Sequence, residues 1–370
     1  MSAWWQWQTE GQDYSVGLEE EVMLLDPAAG WCLATRVGEL IRSARGGLSN
    51  RMADETQEAV VELATDPHPG AAQAGAQAAE LRRALARQLT SMDLRAAAAG
   101  THPSTTWVET QIADGDRHQE VYESMRELAR REPTFGLHVH VGVTDPERAM
   151  MLYNRVRVHL PLLLALSANS PFWQGRDTGM ASARTSIFQS FPRVGMPRAF
   201  DSYERWVTVV DRLLDCGAFP EPTHLWWDVR PQPKFGTVEI RIMDVQSDSE
   251  ATTALAALVQ SIAHFELEED SERDPVTAEI EILTENRFIA ARDGMDGRLL
   301  DPINCTCVDA RTLLGGVLDA VEPHAQQLGC ADALESVRDL AAQGGAARQR
   351  AARNEGGALT ATIVDLAERF

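Results

Sequence analysis

The chain has 370 residues, 44% hydrophobic and 24% charged, a globular composition that excludes a disordered polymer and supplies a sizeable core. With 34 basic and 55 acidic side chains its net charge is −21, the wrong sign for a nucleic-acid binder or for a protein that docks on an anionic membrane. Lys234 is the only lysine, so a Walker A loop, a Schiff-base lysine or a Ser-Lys dyad would each have to use it, and its setting, Pro231-Gln232-Pro233-Lys234-Phe235-Gly236, fits none of them.

In chain order, Met1 to Glu10 carries three tryptophans but neither a basic start nor an apolar stretch, so it does not read as a signal peptide. Ser15 to Leu25 alternates with period two around Val16, Leu18 and Val22 and stops at Asp26-Pro27, which predicts a strand and a turn. Gly70 to Ala99, rich in Ala, Gln, Leu and Arg and closed by Gly100, predicts one long helix. A second helix is expected over Asp116 to Arg131, ended by Pro133, and a strand over Phe135 to Val143. Asp145-Pro146-Glu147 opens a helix expected to continue past Pro161 to Ala168. Residues 169–200, polar and rich in Gly and Pro, read as a long functional loop and a candidate lid. A helix over Tyr203 to Asp215 follows, then strands near His224 to Arg230 and Gly236 to Val245. From Ser249 to Phe370 the chain reads as largely helical, with a loop around Asp293 to Cys307.

Strands without a regular β-α-β rhythm favour an α+β fold with an antiparallel sheet. Residues 1–370 are read as one domain whose part beyond about 249 is mainly helical. No run approaches the roughly 20 apolar residues of a membrane span. Five cysteines, odd in number and sparse, point to a reducing cytoplasm, and Cys305-Thr306-Cys307 lacks the Cys-x-x-Cys spacing usual in zinc and redox sites.

Three predicted strands carry charge where an apolar residue is expected. In Gly17-Leu18-Glu19-Glu20-Glu21-Val22, Glu19 and Glu21 share a face and Glu20 takes the other. In Gly136-Leu137-His138-Val139-His140-Val141 the histidines share a face opposite Leu137, Val139 and Val141. In Gly236 to Asp244, Glu239 and Arg241 oppose Val238, Ile240 and Ile242. If the three lie in one sheet, Glu19, Glu21, Glu239, His138 and His140 converge, with Glu62 of Val61-Glu62-Leu63 as a fourth carboxylate. Carboxylates that close repel one another unless a cation is present, and hard oxygen donors select magnesium or manganese. The competing reading is three solvated outer faces; a zinc site using the histidines lacks a His-Glu-x-x-His helix. With lysine nearly absent, phosphate would be handled by metal and guanidinium, and Arg184, Arg230 and Arg241 are the candidate clamps.

These segments resemble the carboxylate-amine ligases of the glutamate-cysteine ligase type 2 family. The resemblance runs in order through Gly17-Leu18-Glu19-Glu20-Glu21, Glu62-Leu63-Ala64-Thr65-Asp66, Gly100-Thr101-His102-Pro103, Phe135 to Gly142, Ser167-Ala168-Asn169-Ser170-Pro171, Ala183-Arg184, His224 to Pro231 and Gly236 to Asp244. It implies a glutamine synthetase-like catalytic domain: a curved antiparallel sheet with helices on its convex face and ATP, magnesium and the acid substrate on the concave one. It also implies metal positions at Glu19, Glu21, Glu62, His138 and Glu239, catalytic roles for Glu239 and Arg241, phosphate contact by Arg241, and substrate or nucleotide contacts by Arg184 and Arg230. The implied activity is ATP-dependent formation of a γ-glutamyl amide from glutamate and cysteine or a related amine, in the cytoplasm, by a homodimer or higher homo-oligomer. Other amino acids or polyamines as substrates, and a nucleotide- and metal-binding sensor without turnover, remain open alternatives.

Overall fold

The computed structural model describes residues 4–131, 133–269, 279–301 and 306–370. Its central strand, β1 (Val16–Asp26), buries Val16, Leu18, Val22 and Leu24 on one face, as the alternation requires, and turns Glu19 and Glu21 to the other. β2 (Cys32–Leu33) folds back on its end, and α1 (Val37–Ser43) leads to β3 (Met52–Asp54) and β4 (Val60–Ala64). Then come α2 (Ala71–Thr90), β5 (Arg95–Ala97), α3 (Asp116–Met125), α4 (Glu127–Arg130) and β6 (Gly136–Gly142). Helices α5 (Pro146–Val156) and α6 (Leu160–Ser167) precede β7 (Phe172–Trp173), β8 (Arg176–Asp177), α7 (Ala183–Phe188) and β9 (Val194–Gly195). After α8 (Tyr203–Asp215) and β10 (Trp226–Trp227), β11 (Val229–Gln232) and β12 (Thr237–Asp244) form a hairpin. Its turn exposes Lys234 beside Phe235, whose ring lies 6.0 Å from that of His140. The remainder holds α9 (Ser249–Glu268), α10 (Ile280–Asp293), a hairpin of β13 (Arg298–Asp301) and β14 (Thr306–Asp309), and α11 to α14 (Ala310–Leu328, Ala331–Ala342, Gly345–Gly356, Leu359–Arg369).

The main sheet runs β11-β12-β6-β1-β4-β3, with β2 and β5 also on β1, and every pairing is antiparallel. The expected mixed architecture with an antiparallel sheet is therefore present. Helices α2, α5, α6 and α9 pack on one face of this sheet. Leu18, Val139 and Ile240 from three neighbouring strands join Leu255 and Leu258 of α9 in one core, each such side chain contributing about 1.5–3 kcal/mol by leaving water. From the sheet, Glu20 enters that apolar layer: it meets Arg82 of α2 at 2.6 and 2.8 Å and accepts from Thr252 Oγ1 at 2.7 Å, both ions being 1% exposed. Paired burial of this kind avoids the cost of an isolated charge. With the helices taking one face, the other is left to the acidic side chains.

Several expected elements end differently. The alanine-rich helix stops at Thr90; Asp93 takes φ 58°, and Arg95–Ala97 pairs with Met23–Leu25. An open stretch of β1 outweighs the local helical preference of those alanines. The helix expected over Asp116 to Arg131 breaks at Arg126 (φ 56°, ψ −138°), which lets Ala129 fold against Val121 and Met125. The helix expected through Pro161 divides at 157–159, because Pro161 has no N–H and its ring would meet the carbonyl of Arg157. Tyr203–Asp215 is a helix as expected, capped by Ser202 Oγ accepting from the Arg205 N–H. Trp4 and Trp7 pack edge-on against Trp206 and Tyr203 of that helix. The expected loop around Asp293 to Cys307 contains the β13–β14 hairpin, while Cys305 lies outside the described residues. Within the segment 169–200, Asn169, Ser170, Ser182, Arg184 and Thr185 are buried, whereas Gly175 to Asp177 and Gly179 are exposed.

Candidate active site

Strand register assembles the polar face. Glu21 stands opposite Glu62, Glu19 opposite His138, and Glu239 opposite both His140 and Arg230. Cross-strand partners point to the same side, so seven strand positions from five strands meet without any loop placing them. His138 Nδ1 is 3.1 Å from Glu19 Oε2 and 3.8 Å from Glu239 Oε1, and His138 Nε2 is 3.9 Å from Glu21 Oε1. His140 Nε2 is 3.3 Å from Glu19 Oε1 and 3.8 Å from Glu239 Oε1. Two groups of ligand-type atoms, Glu19 with Glu62 and His138, and Glu19 with His140 and Glu239, each lie within 4.8 Å of one another. Glu19 and Glu62 are only half-buried, whereas Glu239 is inaccessible.

The charges are unevenly compensated. Burial pushes the Glu239 carboxyl up, but Arg230 and Arg241 outweigh it and hold the carboxyl well below its ordinary range. Arg230 donates to Glu239 Oε2 from Nε at 3.0 Å, with Gln232 Nε2 at 2.8 Å, and Arg241 donates to Oε1. Glu19 is likewise held down, its burial overcome by His140 and His138. At Glu62 the balance goes the other way: burial, then repulsion from Glu19, Glu55 and Glu21, outweighs the attraction of Arg241 and raises it well above the carboxylate range. Glu55, in the β3–β4 connection, is pushed to about 7 by burial and the Glu21 charge. Burial and then Arg241 depress His138, while Glu19 and Glu239 outweigh burial to raise His140.

A cavity of about 620 Å³ opens above this floor. Glu19, Glu21, Glu62, His138, Arg184, Arg230 and Arg241 all line it. Glu239 supports the floor beneath Arg230 and Arg241, and His140 flanks it. The two arginines expected to contact substrate or nucleotide differ in their surroundings. The Arg230 fork is consumed by Glu239 and, through Nη1, by the carbonyls of Thr223 at 2.7 Å and Leu225 at 3.1 Å, so it holds Glu239 in place. Arg184, at the first turn of α7, donates to the backbone carbonyls of Ile242 at 3.2 Å and Arg241 at 3.5 Å, and its Nη1 lies 3.8 Å from Asp244 Oδ1. One wall is apolar, where Val121 and Met125 of α3 pack with Phe191 and Trp226.

Glu55 was not among the residues singled out from sequence, although it stands in the acidic run Asp54 to Glu58; a loop position has no periodicity to reveal its direction. Asp244 and Gly136, both of which shape the setting of Arg184, were likewise missed as site residues.

The chain matches the glutamate-cysteine ligase family 2 (GCS2) over residues 15–366. Among its relatives, "Putative glutamate--cysteine ligase 2-1" of Rubrobacter xylanophilus is 39% identical over 339 residues, covering 91% of this chain and 89% of the relative. "Putative glutamate--cysteine ligase 2" of Sorangium cellulosum is 39% identical over 365 residues, covering 97% and 96%. In fold the chain is similar to a crystal structure of glutamate–cysteine ligase from Francisella tularensis in complex with AMP, with a TM-score of 0.72 over 98% of this chain and 89% of that one at 15% identity. Identity of this extent over nearly the whole length, on top of the motif order along the strands, shows that the chain belongs to glutamate-cysteine ligase family 2.

Proposed function

We propose that the protein is an ATP-dependent ligase that joins an amine to the γ-carboxylate of glutamate through an acyl phosphate, releasing ADP and phosphate. The observation that carries this reading is the single sheet face on which Glu19, Glu21, Glu62, His138 and Glu239 meet Arg241, beside a cavity that Arg184 also enters. Magnesium or manganese fits this donor set: the oxygens are hard, and the net repulsion left at Glu62 is what a bound cation would remove. Glu19, Glu21, Glu62, His138 and Glu239 would hold it, and when bound it would supply neutralisation of the phosphate charge.

A carboxylate is a poor acylating agent. Its oxygen attacks the terminal phosphorus of ATP and ADP leaves; the amine nitrogen then attacks the acyl carbon, phosphate departs, and the nitrogen gives up a proton. The chain's own groups act by placement and charge. Arg241, fixed by Glu239 and lying 3.4 Å from His138 Nδ1, presents positive charge to the transferred phosphoryl group. Arg184 has donors left for the carboxylate of the acid substrate, and Arg230 keeps Glu239 ionised and still. The apolar wall limits water that would hydrolyse the acyl phosphate.

Cysteine is the amine expected of this family, and the wall formed with Phe191 and Trp226 is reason to include amines with flat apolar groups in any panel. ADP release that needs both glutamate and an amine, with the amide identified by its mass, supports the reading. ADP release that ignores both refutes it. The whole chain is proposed to work as one domain in the cytoplasm, and mass photometry would test the homodimer or higher oligomer implied by its family.

A further inference from the structure

Strand β12 carries one residue more than its pairing with β6 needs. Ile240 stands opposite Val139, yet Met243 and Asp244 stand opposite Leu137 and Gly136, so the extra residue lies in the stretch facing His138. In a regular strand Asp244, five residues from Glu239, would turn to the helix-covered face. The bulge reverses the alternation and brings Asp244 to the face that holds Glu239 and Arg241.

There its carboxylate is inaccessible and bound to the segment 169–185. Oδ2 accepts from the Asn169 N–H at 2.8 Å and from Ser170 Oγ at 2.7 Å, and Oδ1 accepts from Ser182 Oγ at 2.9 Å. Both ends of the loop are thus tied to one anchor just where α7 begins. Arg184 donates its backbone N–H to Ser170 Oγ at 3.2 Å, and its Nη1 lies 3.8 Å from Asp244 Oδ1. Two glycines keep the space open: a Cβ on Gly100 would come within 2.6 Å of Asp244 Cγ, and one on Gly136 within 2.5 Å of Arg184 Nη2. The network also reaches the C-terminal helices. Gln349 of α13 donates from Nε2 to both Asn169 O and Asn169 Oδ1 at 2.8 Å, and Asn169 Nδ2 donates to Val245 O at 2.8 Å.

A carboxylate taken fully out of water is costly unless its bonds are complete, and these bonds all serve to fix the backbone and side chain that carry Arg184. We propose that Asp244 is a positioning residue for Arg184, and that α13, through Gln349 and Asn169, braces the same guanidinium, which gives the C-terminal helices a part in binding the acid substrate. The proposal rests on Arg184 being the contact for glutamate, as read above.

The test compares Arg184→Ala, Asp244→Asn, Gln349→Ala and the Arg184→Ala/Asp244→Asn double variant, with initial rates at varied glutamate and varied ATP. Asp244→Asn should raise the KM for glutamate about tenfold, with the KM for ATP and kcat changing about twofold or less. Gln349→Ala should move the same constant in the same direction, and it serves alone if Asp244→Asn does not fold. In the double variant the loss should equal that of Arg184→Ala, because removing the positioned group removes the effect of its support. Multiplying losses, or an unchanged glutamate KM in both Asp244→Asn and Gln349→Ala, would overturn the proposal. A crystal structure of Asp244→Asn or Gln349→Ala separates this from the ligase reading. Arg184 displaced from the Ile242 carbonyl supports positioning even if glutamate proves not to be the substrate, and Arg184 unmoved refutes it even if the enzyme is a ligase.

Discussion

Glu62→Gln should stabilise the protein in chelator and weaken its response to magnesium. A ligand oxygen of Glu62 lies within 4.8 Å of one from Glu19. Two like charges at that separation repel by about 3 kcal/mol at an effective dielectric constant near 20. The alternative open to Glu62 is to take up a proton, and at pH 7 a carboxyl with an ordinary pKa of 4.5 must spend about 3 kcal/mol to do so. Either way the native state is penalised by a similar amount, and glutamine, with almost the same volume, avoids both. Over 370 residues the unfolding entropy converts about 3 kcal/mol into a rise of roughly 4 °C in Tm. Because the folded pKa is raised, the unfolded state loses its proton first, so the wild-type penalty grows as pH climbs above 4.5 and the gain from the substitution should shrink toward pH 5. Scanning calorimetry in EDTA and in millimolar magnesium, at pH 5 and 7, reads both effects. If Glu62→Gln is less stable than wild type in EDTA and gains the same magnesium shift, the repelling-carboxylate argument is wrong.

Gly136→Ala places a methyl 2.5 Å from Arg184 Nη2 and 3.1 Å from His138 Nε2, so the glutamate KM should rise while stability falls by about 1 kcal/mol or less; steady-state kinetics with urea denaturation checks both. His102 is held near a pKa of about 4 by burial, and its Nδ1 accepts the Thr105 N–H at 2.9 Å while Nε2 bonds Trp31 O. Its folded pKa lies below the unfolded 6.5, so its contribution is present above 6.5 and fades as pH falls toward 4. Wild type should therefore lose about 2 kcal/mol more than His102→Gln between pH 7 and 5 in urea titrations. Arg82→Met leaves Glu20 buried without its counterion and should cost about 3–5 kcal/mol, most of it recovered in the Glu20→Met/Arg82→Met double variant. Equal losses in the single and double variants would count against that account.

Period-two alternation made the polar face of the sheet readable. Glu19 and Glu21, His138 and His140, and Glu239 with Arg241 each interrupt an apolar strand at the spacing that puts them on one side, and the register then brings the strands together. Tyr203–Asp215 was equally clear, because its cap and its stop are local. What stayed hidden depends on partners distant in sequence. Residues 95–97 have helix-forming alanines and become a strand only because β1 offers a free edge there. Arg126 turns to positive φ for a packing contact, and nothing in its neighbours signals it. Asp244 lies on the polar side because of one extra residue in β12, whereas counting along the strand from Glu239 puts it on the other. Alternation puts Glu20 on the apolar side of β1, but nothing in the sequence marks its partner Arg82, 62 positions away.

The turn between β11 and β12 has a practical use. The protein's one lysine side chain is exposed there, its Nζ 5.3 Å from the Phe235 ring, and that ring stands edge-on to His140 at 6.0 Å. An amine-directed fluorophore has Lys234 as its one side-chain target beside the α-amino group, and that side chain is separated by one aromatic ring from the histidine that touches Glu19 and Glu239. Changes in that histidine's surroundings as the face fills could then be followed optically in the unsubstituted protein, without engineering a cysteine or removing any of the native ones.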